Sequence, residues 1–115
     1  MATLDRTAIL TADDLAQEIV DVPEWGGSVC VREMTGTELG QWQKIAEDPE
    51  RDDVDAVIAL AIYTLCHDET GERLFDNNDF EKLKQKSIQV ILRIQNVALR
   101  VNKLTSDEMD ELKGN

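Results

Sequence analysis

Between Ala56 and Cys66 the chain carries no charged side chain, and Val54, Val57, Ile58, Ala61, Ile62, Leu65 and Cys66 recur at intervals of three and four. That spacing marks one face of an α-helix. Ala56, Ala59, Leu60 and Tyr63 cover much of the other side, so this helix is apolar nearly all round. In a chain of 115 residues such a helix belongs in the middle of the core. Asp53–Cys66 is therefore predicted as the central helix, with the remaining elements packed around it. The length suits a single domain whose core holds without disulfides or metals. No stretch reaches the roughly 18 apolar residues of a membrane span.

The other elements follow from local signals. Thr35 and Glu38 have capping-box spacing, and Leu39, Trp42, Ile45 and Ala46 share a face, which predicts a helix over Gly36–Glu47 ended by Pro49. Upstream, Glu18–Val22 and Ser28–Met34 are rich in β-branched residues and flank the loop Pro23–Gly27. They read as a β-hairpin, with Pro23 ending the first strand and the two glycines permitting positive φ. The first ten residues have weak pattern and read as a lead-in. Thr11, followed by Asp13 and Asp14, predicts one or two helical turns over Thr11–Gln17. His67–Phe75 reads as a turn, Asp76 as the cap of a short helix through Lys84, and Ser87 as the cap of a last helix to Lys103. In that last helix Gln89, Arg93, Asn96, Arg100 and Lys103 form a narrow polar stripe. The predicted fold is mostly α, four to five helices with a small N-terminal β-hairpin, in one domain over residues 1–104. Residues 105–115, with only Met109 and Leu112 as apolar positions, read as an acidic tail that is a marginal helix or disordered.

Charge narrows the partners. Twelve Lys and Arg stand against 24 Asp and Glu, a formal net charge of −12. Such a surface repels phosphate, which excludes non-specific nucleic-acid binding and disfavours an anionic membrane. The charge is also segregated. Residues 1–80 hold 5 basic and 19 acidic side chains, whereas residues 81–103 hold 6 basic and 1 acidic. The basic segment is expected to pack against the acidic body and relieve its self-repulsion; a cationic face for an acidic partner is the alternative. No basic-then-apolar leader opens the chain, so a secretory signal is not expected. Cys30 and Cys66 lack C-x-x-C spacing and read as free thiols filling the core.

No catalytic, cofactor-binding or metal-ligating set emerges. The single histidine, His67, sits beside Asp68 and Glu69 in a turn, where neighbours seldom converge on an ion. Asp76-Asn77-Asn78-Asp79 lacks the spacing, central Gly and final Glu of a calcium loop and reads as a helix cap. Cys66 adjoins His67 in sequence, but helix neighbours point different ways, so no thiol–imidazole pair is expected. No phosphate-binding glycine pattern is present. What remains is surface. Trp25, at a hairpin tip beside Gly26 and Gly27, either folds back as a lid on the core or is displayed as an interface anchor. The last helix has an apolar sector wider than one core contact needs, which makes Ile88, Leu92 and Leu99 candidates for contact with another chain.

Three segments resemble the tail assembly chaperone family of long-tailed bacteriophages. Val22-Pro23-Glu24-Trp25-Gly26-Gly27-Ser28-Val29-Cys30-Val31-Arg32-Glu33-Met34-Thr35-Gly36-Thr37-Glu38 is similar to that family's "VPEWGG-x-V-x-V-R-E-[LM]-T-G-x-E" segment. Cys66-His67-Asp68-Glu69-Thr70-Gly71-Glu72-Arg73-Leu74-Phe75 resembles its "C-x-D-E-x-G-x-x-L-F" turn. Ala98-Leu99-Arg100-Val101-Asn102-Lys103-Leu104 resembles an ending "A-x-x-[LV]-N-G-L", with Lys103 where glycine would be the natural left-handed cap. The resemblance implies a non-enzymatic protein in the cytoplasm of the infected bacterium, absent from the mature virion. Its implied partners are the tape measure protein, which it coats and keeps soluble, and the major tail protein, which it helps recruit; self-association stays open. Many members also occur as a longer frameshifted product. The resemblance implies no cofactor and no catalytic residue. The rival reading is an acidic DNA mimic that occupies a DNA-binding protein. It calls for carboxylates in two rows at phosphate-like spacing, whereas the acidic residues here cluster at caps and turns.

Overall fold

The computed structural model describes residues 2–104. The central helix forms as the periodicity demands. It is α3 of a chain ordered α1 (Arg6–Thr11), β1 (Gln17–Val22), β2 (Gly27–Arg32), α2 (Gly36–Glu47), α3 (Asp53–Thr64), β3 (Leu65–Cys66), α4 (Phe80–Leu83) and α5 (Ile88–Val101). Short 3-10 turns, Pro23–Trp25 and Asn77–Asp79, precede β2 and α4. Every residue from Ile58 to Thr64 is buried. α2 and α5 both pack on α3, and α5 also lies against β1 and β2. The architecture is mostly α, five helices around a small antiparallel sheet of order β1-β2-β3.

The local signals account for most boundaries. At the start of α2 the Thr35 hydroxyl accepts from the Glu38 N–H at 3.2 Å, and the Glu38 carboxylate accepts from the Thr35 N–H at 2.9 Å. Before α4, the Asp76 carboxylate accepts from the Asn78 N–H and that of Asp79 accepts from the Asp76 N–H. Pro23 ends β1 by opening a 3-10 turn, and of the two hairpin glycines only Gly26 takes positive φ, at 79°. The hairpin register runs from Gln17 opposite Arg32 to Val22 opposite Gly27.

Four expectations are corrected. The first helix is Arg6–Thr11, not Thr11–Gln17: Asp5 caps it by accepting from the Ala8 N–H, and Thr11 is its last residue, donating to the Thr7 carbonyl. An aspartate four residues before Ile9 served as well as the threonine, and weak amphipathicity hid the helix because none of its residues is buried. The central helix stops at Thr64, not Cys66. Leu65 and Cys66 turn extended and add a strand to the hairpin, with Cys30 opposite Cys66 and Val31 opposite Leu65. Its partner strand ends at Arg32 rather than Met34, because the Met34 N–H leaves the ladder to donate to Asn102 Oδ1 at 2.7 Å. The last helix ends at Val101, and Ser87 precedes it without a side-chain capping bond. The predicted acidic tail over residues 105–115 lies outside the described residues.

The end of α5 is built as a Schellman motif. Lys103 sits at φ 56°, the one non-glycine residue with positive φ among those described, and the Leu104 N–H donates to the Leu99 carbonyl at 2.8 Å. Lys103 thus occupies the left-handed position where the resembling motif carries glycine. Asn102 beside it ties α5 to β2: its Oδ1 accepts from Met34, and its Nδ2 donates to the carbonyls of Arg32 and Ala98.

The basic segment does pack on the acidic body. Arg93 donates twice to the Glu24 carboxylate, Arg100 pairs with Glu18, and Lys84 Nζ lies 2.7 Å from Asp55 Oδ1. Arg93 holds Glu24 down to about 2, chiefly by hydrogen bonding. At Glu38, burial alone would raise the carboxyl, but hydrogen bonds from Arg32 and the Thr35 backbone, with the charges of Arg32 and Arg73, bring it below its usual range. Asp55 is lowered by its bond from Lys84 and, further, by that from Arg51.

Candidate partner-docking surface

Trp25 rests on one turn of 3-10 helix that the Pro23 ring starts and Gly26 ends in the left-handed region. The indole packs half-buried against the core. It also lines an open groove of about 550 Å³ with Glu24, Phe75, Asp79, Lys82, Leu83 and Lys86. Three separate segments meet there: the hairpin tip, the end of the loop after β3, and α4 with the residues that follow it. The Lys86 ammonium stands 5.9 Å from the centre of the indole ring. Trp42, the other tryptophan, is a core residue whose Nε1 donates to the Ala56 carbonyl.

The three α5 candidates divide. Ile88, the first residue of α5, is 43% exposed. Leu92, one turn on, is half-buried and lies outside the set of residues packed on the core. Leu99 is half-buried but packs against the core, and its carbonyl belongs to the C-terminal cap. None of the three lines the Trp25 groove. The fold therefore presents an aromatic groove and, separately, an apolar patch at Ile88 and Leu92.

Reading the residues in order missed two features. Phe75, Leu83, Lys82 and Lys86 were not singled out, because the loop and helix that carry them meet Trp25 only in the folded chain; the spacing of four between Lys82 and Lys86 was the available signal. The N-terminal arm was also missed. Leu4, just before α1, and Ile9 and Leu10 within it are 69%, 57% and 64% exposed, and the helix has no buried residue.

Cys30, Cys66, His67 and Asp68 line one open pocket of about 430 Å³, but among the described residues no hydrogen bond joins a thiol to the imidazole. Cys30 and Cys66 face each other across β2 and β3 as buried free thiols, and burial, with the neighbouring Cys30 thiol, pushes Cys66 up to about 12. A thiol held protonated that far above neutral pH is a poor nucleophile. His67 is exposed in its turn. Among the described residues no three His, Cys, Asp or Glu side chains are grouped to hold a metal ion, and no helix is long and apolar enough to cross a membrane.

The class this defines is a small helical protein whose distinguishing surface is a groove and apolar side chains turned outward. The sequence matches the model of the phage tail assembly chaperone family over residues 4–113, and the chain belongs to that family. Its fold is similar to the solved structure of the bacteriophage HK97 tail assembly chaperone, with a TM-score of 0.63, 24% sequence identity, and coverage of 83% of this chain and 90% of that one. Among curated proteins none matches the chain in sequence.

Proposed function

We propose that this chain binds the tape measure protein, keeps it soluble and helps recruit the major tail protein during tail morphogenesis, acting without catalysis in the cytoplasm of the infected bacterium and leaving before the virion is mature. Family membership supports the tail assembly role. The observation that carries the finer reading is the apolar surface left uncovered on so charged a molecule: Leu4, Ile9, Leu10 and Ile88 are exposed, and Trp25 lines an open groove. A holdase needs that combination. Apolar side chains engage the amphipathic helices of a long client, and a net charge of −12 keeps the coated complexes apart. Trp25, Ile88, Leu92 and Leu99 are the proposed contacts, with Leu99 at the inner margin. Self-association through the same apolar patches is compatible with the role.

The test is co-expression with the tape measure protein from the same genome. The soluble fraction of that protein should rise severalfold with the wild-type chain and fall back with Ile88→Ser/Leu92→Ser. If the tape measure protein stays as insoluble beside the wild-type chain as it is alone, the reading fails.

A further inference from the structure

The Trp25 groove carries a charge pattern that its surroundings do not. Four charged residues line it. The two carboxylates are already engaged by the fold: Glu24 accepts two bonds from Arg93, and Asp79 accepts from the Asp76 N–H in the turn before α4. The two ammonium groups, Lys82 and Lys86, make no ion pair with any described residue, and Lys86 only overlies the Trp25 ring. On the same basic segment Lys84, Arg93 and Arg100 do have carboxylate partners. Lys82 and Lys86 are four residues apart and share the groove with Trp25, Phe75 and Leu83. An apolar floor with two free cations is complementary to an apolar side chain flanked by carboxylates.

We infer that this groove docks an acidic amphipathic helix of another protein, one or two apolar side chains entering between Trp25, Phe75 and Leu83 while carboxylates a turn apart meet Lys82 and Lys86. A helix fits better than an extended strand. The groove's lining belongs to two 3-10 turns, a loop, and α4 with the residues after it, so side chains rather than a free sheet edge do the recognising. The overall negative charge does not forbid it, because at physiological salt charges beyond about 8 Å are largely screened and the local pair decides. The chain's own residues 105–115 are acidic too, and the test below separates them from a segment of another protein as the occupant. The inference rests on the reading of this chain as a protein-binding module, and it adds the chemistry of one bound segment.

The probe is a synthetic 14-residue helix with leucines every three or four positions and glutamates flanking them, beside a version with lysine for every glutamate. Binding to the full chain is followed by tryptophan fluorescence, to which the buried Trp42 contributes a constant background. The glutamate peptide should shift the Trp25 emission, bind more weakly as salt rises, and lose about tenfold in affinity to Lys82→Glu/Lys86→Glu. Both sites are at the surface, so the variant should keep its far-UV spectrum; Lys82→Gln/Lys86→Gln should fall between it and the wild type. Equal binding of the two peptides, or binding indifferent to the lysine substitutions, overturns the inference. So does binding that appears only after Asp107, Glu108, Asp110 and Glu111 are changed to amides, which would make the tail the occupant, or a Lys82- and Lys86-dependent self-association in place of peptide binding. In the co-expression experiment, a client solubilised equally by wild type and Lys82→Glu/Lys86→Glu sinks this inference and spares the chaperone reading. No solubilisation by either sinks the chaperone reading.

Discussion

Lys103 shows how a single backbone angle can be read twice, once in the sequence and once in the structure. A left-handed residue with a Cβ pays roughly 1–2 kcal/mol relative to the right-handed region, a strain that glycine escapes at some cost in unfolded-state entropy. The Schellman bonds of Lys103 and Leu104 require that angle whatever the residue is, because Leu104 must turn back to lie 5% exposed at the core. Lys103→Gly is therefore expected to stabilise the protein by about 0.5–1 kcal/mol, raising the midpoint of urea unfolding with an unchanged slope. A lower midpoint would mean that the lysine side chain contributes more than its backbone strain costs. The same residue was legible beforehand only as an oddity, a lysine where the resembling motif has glycine. Arg32 was not legible at all. It is buried, with its guanidinium clamped on both oxygens of Glu38 at 2.9 Å, and nothing in this short strand marks its arginine as inward-facing.

Elements were legible in proportion to how much periodic surface they bury. α2 begins where its capping box placed it and α3 where its apolar stripe did, because each turns apolar residues onto the other. β3 is two residues long, too short for any period, and it exists because Leu65 and Cys66 meet the open edge of β2. α1 buries nothing and so leaves no stripe to find. The groove was illegible for a further reason: its walls come from three segments whose meeting is a tertiary event. Asn102 belongs to the same tertiary level. From the end of α5 it makes three hydrogen bonds, two of them reaching β2 and the residue after its end region, at 2.7 and 3.3 Å. Removing the amide leaves the Met34 N–H and the Arg32 carbonyl without that partner in a half-buried junction. Asn102→Ala should cost about 2–3 kcal/mol, and Asn102→Asp should not rescue it, because it keeps the acceptor for Met34 but turns a carboxylate oxygen onto the carbonyls of Arg32 and Ala98. Hydrogen exchange should show the loss at the Met34 amide first. Equal stability of wild type and Asn102→Ala would reduce this tie to a bystander.

For the whole molecule, two electrostatic effects oppose one another as pH falls. Protonating an acidic surface reduces the net charge and relieves self-repulsion, which favours the compact state. Protonation also releases the carboxylates that join the elements. Glu24, Glu38 and Asp55 are all held below their ordinary range in the folded state, so each binds protons more readily once unfolded. Their contribution is complete above the unfolded carboxyl range near pH 4 and is lost as pH falls through the folded values, for Glu24 down to about 2. Lys84, raised by its bond to Asp55, has the opposite sign, and its contribution fades only above its ordinary value of 10.5. Between these limits the paired groups give no slope. Below pH 4 the second effect should win, because Asp55 and Glu38 are joined to Lys84, Arg32 and Arg73 within the fold, whereas the surface repulsion acts between solvated charges that salt already screens. The urea midpoint should be level from about pH 5 to 9 and fall steadily from pH 4 to 2, and Asp55→Asn should lower the plateau and make the acid limb shallower. A midpoint that climbs as the pH drops below 4 would show that self-repulsion, not the ion pairs that join the elements, governs how this protein holds together.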